Sequence, residues 1–138
     1  MKYQIYTDGG ARGNPGPAAY GFAIFNSKDE LVTLGKKYLG TATNNVAEYQ
    51  AIIASLEEAK RRGALEIDSF MDSELACRQL QGRYKVKQPH LKVLVEKVKA
   101  LETAFKKITY THVPRENERI QMADALVNEA LDEVGKRY

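Results

Sequence analysis

The chain has one cysteine, no tryptophan, two histidines and four prolines in 138 residues, and each shortage narrows its range. The lone Cys77 cannot close an internal disulfide, so the expected compartment is a reducing one, the cytoplasm. His90, His112 and Cys77 show no ligand spacing, which makes zinc a poor fit. No window approaches the ~18 uninterrupted apolar residues of a membrane-spanning helix, so no membrane partner is expected. The opening MKYQIYTDGG alternates and then runs into glycine, without the apolar core or small-residue cleavage site of a signal peptide.

What is present fits one globular unit over residues 1–138. Hydrophobic residues make up 43% and charged residues 28%, enough for a single core with a solvated surface. A net charge of +3 is compatible with a polyanionic partner but does not identify one.

Periodicity gives the organisation. Lys2 to Asp8 alternates, with Tyr3, Ile5 and Thr7 on one side and Gln4 and Tyr6 on the other, and reads as a strand stopped by Gly9-Gly10. Gly9 to Pro17 holds four glycines and two prolines, which is loop chemistry. Ala18–Asn26 and Leu31–Leu39 read as a hairpin around Ser27–Glu30. From Asn44 to Arg62 the apolar residues take helical spacing, with Thr43 or Asn44 as N-cap and Gly63 as the stop. Leu65–Met71 is a strand, Ser73–Gln81 a short helix, His90–Phe105 a helix and Ile108–Val113 a strand. A polar loop from Pro114 to about Ile120 then leads to a final helix, Gln121–Val134. An antiparallel meander followed by alternating helices and strands is an α/β pattern, a mixed sheet with helices on its faces.

Four carboxylates stand at telling places. Asp8 ends the first strand and Asp72 the fourth, and if those strands are central neighbours the two lie side by side at the sheet's carboxyl edge. Glu48 sits in the first turns of the long helix and Asp124 near the start of the last. Each has a simpler reading: Asp72 as a helix cap, Asp8 as a turn residue, Glu48 and Asp124 as complements to helix dipoles. Taken together, several carboxylates close in space repel, and one must take up a proton or gain a cation. Oxygen ligands of this kind suit Mg²⁺ or Mn²⁺.

The segments YTDGGARGNPGP (Tyr6–Pro17), TNNVAE (Thr43–Glu48), DSEL (Asp72–Leu75) and ADAL (Ala123–Leu126) resemble the signatures of the type 1 ribonuclease H family in order, spacing and element type. The resemblance covers essentially the whole chain. It implies a ribonuclease H-like mixed five-stranded sheet whose first three strands form an antiparallel meander, with helices on both faces. It also implies hydrolysis of the RNA strand of RNA–DNA hybrids by a monomer, leaving 5′-phosphate and 3′-hydroxyl ends. The family's metal ligands fall on Asp8, Glu48, Asp72 and Asp124, holding two Mg²⁺ ions, or Mn²⁺ as a substitute, roughly 3.5–4 Å apart. Asp8 would contact both ions, Glu48 and Asp72 the leaving-group ion, and Asp124 the nucleophile ion. Gly9, Gly10, Asn14, Thr43, Asn44, Asn45, Ser73 and Glu74 match positions that line the hybrid groove, where 2′-hydroxyls distinguish RNA from DNA.

Some features depart from the family pattern. Many members have a histidine in the loop before the last Asp; here Arg115 is expected to take that role, with His112 as the alternative. An Asn usually stands four residues before that Asp, where this chain has Ile120. The long basic, Trp-rich protrusion of some members is reduced to Gly82–Pro89, in which Arg83, Lys85 and Lys87 either grip phosphate or are simply solvated. A non-catalytic hybrid-binding module on the same fold is the alternative function. Its difficulty is electrostatic, because four carboxylates facing a phosphate backbone cost about 1 kcal/mol per close pair even in bulk water.

Overall fold

A computed structural model describes residues 1–135. In chain order the elements are β1 (Lys2–Ala11), β2 (Gly16–Asn26), β3 (Leu31–Ala42), α1 (Asn44–Arg61), β4 (Glu66–Met71), α2 (Glu74–Leu80), α3 (Pro89–Glu102), β5 (Lys107–His112) and α4 (Glu118–Gly135). The five strands form one mixed sheet in the order β3-β2-β1-β4-β5. The first three are antiparallel, while β4 runs parallel to both β1 and β5. The mixed sheet with an antiparallel meander is what the strand pattern implied, and its five strands are what the family resemblance implied. Thr7 pairs with Met71, so the residues that follow, Asp8 and Asp72, emerge together at the carboxyl end of the central pair.

The alternation in β1 and β2 divides the core in two. Tyr3, Ile5, Phe22 and Ile24 pack against Tyr49, Ile52 and Leu56 of α1 and Leu91, Leu94 and Val98 of α3. On the opposite face Tyr6, Ala23 and Phe25 meet Ile120, and Ala19 meets Val127, Ala130 and Leu131, all from α4. Each such large side chain contributes roughly 1.5–3 kcal/mol on burial, so the two faces fix α1 and α4 independently. No helix among the described residues is long and apolar enough to cross a membrane.

Strand β3 runs on to Ala42 and α3 ends at Glu102, each three residues from the expected end, and two further differences lie beside the carboxylates. First, β1 does not stop at Gly9-Gly10. Its ladder with β2 continues through Gly9–Tyr20, Gly10–Ala19 and Ala11–Ala18, so the loop shrinks to the tip between Ala11 and Gly16. A glycine inside a strand marks a close approach as readily as a turn, and Gly9 is such a case. A Cβ there would lie 2.3 Å from the carbonyl carbon of Ala47 in α1.

Second, α4 begins at Glu118, three residues earlier than expected. Asn117 caps it: its Oδ1 accepts from the backbone N–H of Arg119 (3.0 Å) and of Ile120 (3.1 Å). The extra turn is polar in sequence because Arg119 spends its charge locally. Its guanidinium lies 3.9 Å over the Phe25 ring and donates to Asp29 Oδ1 at 3.1 Å. Ile120, on the same turn, is fully buried.

Candidate active site

Two glycines let helices from opposite faces reach the same strand end. Gly9 admits the α1 backbone at Ala47 and Glu48, and Gly21, the partner of Asp8 in the β1–β2 ladder, admits α4. A Cβ on Gly21 would lie 2.5 Å from the Ala123 carbonyl oxygen. Glu48 therefore arrives from one side of the sheet and Asp124 from the other. With Asp8 and Asp72 already adjacent, all four carboxylates line one cleft of about 330 Å³, together with Gly9, Gly10, Arg12, Asn44, Arg115 and Asn128.

The electrostatics follow from this crowding. Burial, the neighbouring charge of Asp72 and a hydrogen bond to Asp124 push the Asp8 carboxyl up to about 8. Burial likewise pushes Glu48 up to about 7, the charge of Asp72 adding to it and a hydrogen bond to Ser73 opposing. Asp72 is raised by burial, against which its own backbone hydrogen bond and the guanidinium of Arg115 act. Among the described residues none of the four is ion-paired to Lys or Arg within 4 Å. The four converge on the cleft without forming a finished cage of three or more ligands around one point among the described residues. Carboxylates brought this close repel one another when ionised, and a hard divalent cation relieves that repulsion. The donor set is all oxygen. It fits Mg²⁺ or Mn²⁺ and offers nothing to a softer metal.

The groove residues expected from the sequence divide among several tasks. Gly10 and Asn44 line the cleft; Gly9 also touches it but is itself buried, its open side taken by α1 rather than left to a ligand. Thr43 is the N-cap of α1, accepting from Val46 N–H at 3.2 Å, and Ser73 caps α2, accepting from Ala76 N–H at 3.1 Å. The cap reading of Asp72 is thereby removed. Asn44 Oδ1 accepts from Ala11 N–H (2.8 Å), and the Asn44 N–H donates to Asn14 Oδ1 (3.1 Å), which ties the β1–β2 tip to α1. Asn45 faces a separate groove of about 570 Å³ with Leu75, Tyr84, Arg83, Lys85 and Lys87. Glu74 is exposed on the first turn of α2. Of the two loop candidates, Arg115 lines the cleft, whereas His112 closes β5 opposite Met71.

Sequence reasoning passed over Arg12 and Asn128. The available signal was helical spacing: Asn128 stands four residues after Asp124 and so shares its face. For Arg12 there was only its place in the glycine-rich segment.

Comparison with known proteins gives a consistent picture. Residues 6–130 match the family described as reverse transcriptase-like. The bifunctional protein Rv2228c of Mycobacterium tuberculosis is 46% identical over 96% of this chain, and the chain spans 36% of that relative's length. Ribonuclease HI of Halobacterium salinarum is 45% identical over 96% of the chain, which spans 65% of it. Among solved structures, LC11-RNase H1 in complex with an RNA/DNA hybrid superposes with a TM-score of 0.89 at 43% identity, covering 96% of this chain and 98% of its own.

Proposed function

Because the chain belongs to the type 1 ribonuclease H family, we propose that it is an endoribonuclease that cuts the RNA strand of RNA–DNA hybrids, leaving 5′-phosphate and 3′-hydroxyl ends. The observation that carries this reading is the convergence of Asp8, Glu48, Asp72 and Asp124 on one cleft, with no Lys or Arg ion-paired to them among the described residues. A module that only bound a polyanion would be served by cations there.

Asp8, Glu48, Asp72 and Asp124 would hold two Mg²⁺ ions, which when bound neutralise charge at the scissile phosphate and activate water. The protein's own part is to position and to exclude. Asp8, on the central strand, is the ligand with least freedom to move, and Glu48 is braced by Ser73. Arg115, exposed at the rim near Asp72, would meet the phosphate and assist product release without blocking the carboxylates; its guanidinium stays charged and moves no proton. The Gly10 backbone and the Asn44 side chain present the close surface and the donor–acceptor pair that 2′-hydroxyl recognition needs. The groove beyond Asn45 adds Arg83, Lys85 and Lys87 for phosphate contacts with the second strand. We place this activity in a monomer and in the cytoplasm, where the buried Cys77 stays a thiol.

The test uses a hybrid labelled on either strand, duplex DNA and duplex RNA, each with and without Mg²⁺, with end-group analysis of the products. Mg²⁺-dependent cutting of the hybrid's RNA strand, with the DNA strand and duplex DNA left intact, is the expected result. Tight hybrid binding with no cleavage at any metal concentration would replace the enzyme with a binding module.

A further inference from the structure

Apart from the Asp8 carboxyl with which it shares a hydrogen bond, Asp124 has no partner from the sheet among the described residues. Glu48 is braced by Ser73, and Asp8 and Asp72 are fixed by the central strands, whereas Asp124 stands on a helix surface. One helical turn further on, Asn128 reaches back to it. The Asn128 Nδ2 donates to Asp124 Oδ2 at 3.3 Å and to the Asp124 carbonyl at 3.2 Å. On its other side the Asn128 Oδ1 accepts from Arg12 Nη2 at 3.4 Å, and the same guanidinium nitrogen pairs with Asp132 Oδ1 at 2.7 Å.

The chemistry of the neighbours fixes the orientation of the amide. Arg12 can only donate and the backbone carbonyl of Asp124 can only accept, so the carbonyl of Asn128 must face Arg12 and its NH₂ must face Asp124. Arg12 is in turn anchored. It lies at the β1–β2 tip, where its backbone N–H donates to Pro17 O at 2.8 Å, and that tip is tied to α1 through Ala11, Asn44 and Asn14. A continuous polar chain thus runs from α1, which carries Glu48, across the tip to α4, which carries Asp124. The links to Asn128 are long hydrogen bonds between exposed groups, so their effect is to bias one rotamer of Asp124 and not to stabilise the fold.

We infer that Asn128, oriented by Arg12, is a positioning residue that aims the Asp124 carboxylate into the cleft for its divalent cation. This rests on the metal-dependent reading above and extends it to two residues with no role in it. Loss of such an outer partner weakens metal affinity without touching substrate.

The test compares wild type with Asn128→Ala, Asn128→Ser and, as control, Glu129→Ala, whose side chain pairs with Lys36 away from the cleft. Binding of Mn²⁺ alone is followed by electron paramagnetic resonance without nucleic acid. Cleavage of the hybrid is then measured against Mg²⁺ concentration, and KM is taken at saturating Mg²⁺. Both Asn128 variants should bind Mn²⁺ about tenfold more weakly and need about tenfold more Mg²⁺ for half-maximal rate, with KM unchanged. Arg12→Ala should move the metal dependence in the same direction by a smaller factor, and Arg12→Lys should recover part of it. Equal Mn²⁺ affinity in wild type and both Asn128 variants overturns the inference, as does a rise in KM with unaltered metal dependence, which would make Asn128 a substrate contact. If wild type binds Mn²⁺ more tightly than the variants yet cleaves nothing, the positioning role stands and the ribonuclease reading falls.

Discussion

Helices α1 and α4 solve the same problem from opposite faces of the sheet, by different means. Each brings one carboxylate over the end of β1 through a glycine. At α1 the support is covalent geometry and core: Gly9 is buried under the helix backbone, Thr43 caps the first turn, and Tyr49, Ile52 and Leu56 are sealed behind Glu48. At α4 the helix is also seated on core, through Ile120, Ala123, Val127 and Leu131, but the contacts nearest its carboxylate are polar and near the surface: the Asn117 cap, Arg119 over Phe25, and Asn128 beside Asp124. A carboxylate fixed by packing tolerates changes in its surroundings poorly but is insensitive to solution conditions. One fixed by hydrogen bonds and charges is easier to perturb and responds to salt.

Substitutions can separate the two modes. The largest effect is expected at the point they share. Asp8→Asn keeps the shape but removes the central charge, and should lower Mg²⁺-dependent cleavage by on the order of a thousandfold, about 4 kcal/mol of transition-state stabilisation. Gly9→Ala comes next. Its Cβ would meet three backbone atoms of α1 within 2.5 Å, whereas on Gly21 the contacts are one backbone oxygen at 2.5 Å and the Leu126 Cβ at 2.8 Å. Overpacking of this kind costs about 1–3 kcal/mol, with Gly9→Ala at the upper end and Gly21→Ala below it in chemical denaturation. A reversed order would remove the claim that α1 is the more rigidly seated helix. Arg119→Met, which keeps the stem over Phe25 but loses the charge, should cost about 1 kcal/mol of stability and do so less in high salt.

The pH dependence of stability addresses the shared centre. Asp8 and Glu48 have folded-state values of about 8 and about 7, above the 3.8 and 4.5 of the free side chains. For a carboxyl raised on folding, the folded state holds the extra proton, so the contribution to stability is full below the unfolded value and disappears as pH rises through the folded one. In a chelator, the unfolding midpoint should therefore fall between about pH 5 and pH 8. Mg²⁺ should raise it more at pH 8 than at pH 5, and Asp8→Asn should flatten much of the slope. A midpoint that rises over this interval in chelator would mean the carboxylates are already neutralised by the protein.

The α1 half of the site was more legible in sequence than the α4 half, for a physical reason. Asp8, Glu48 and Asp72 sit at the ends of segments whose period is set by a deep core, so pattern and spacing located them. The meander and the neighbouring of the first and fourth strands were legible too, while the full order of the sheet came from the structure. At α4 the helix start is decided by Asn117, and the charges around it read as loop because Arg119 is satisfied by an aromatic face on β2 and by Asp29 in the β2–β3 turn, both distant in sequence. No local pattern records such a partnership. Gly9 misled in the same way: its role in β1 is to admit a helix, a fact about α1 and not about the strand. Arg12 and Asn128 went unnoticed because their meaning is mutual, across 116 residues of chain.

Uptake of a divalent cation by the carboxylates of this cleft is the property on which the proposed chemistry turns. Calorimetric titration of Mn²⁺ into the protein near pH 7.5, repeated in buffers of different ionisation enthalpy, measures both binding and the protons it displaces. Wild type should bind with net proton release, because burial and the neighbouring carboxylates hold the Asp8 carboxyl well above its free value and the ion displaces its proton, and Asp8→Asn should lose most of the affinity and the release. Indistinguishable titrations of the two proteins would contradict the metal site and the chemistry built on it; binding with no proton displaced would contradict the raised Asp8 carboxyl alone.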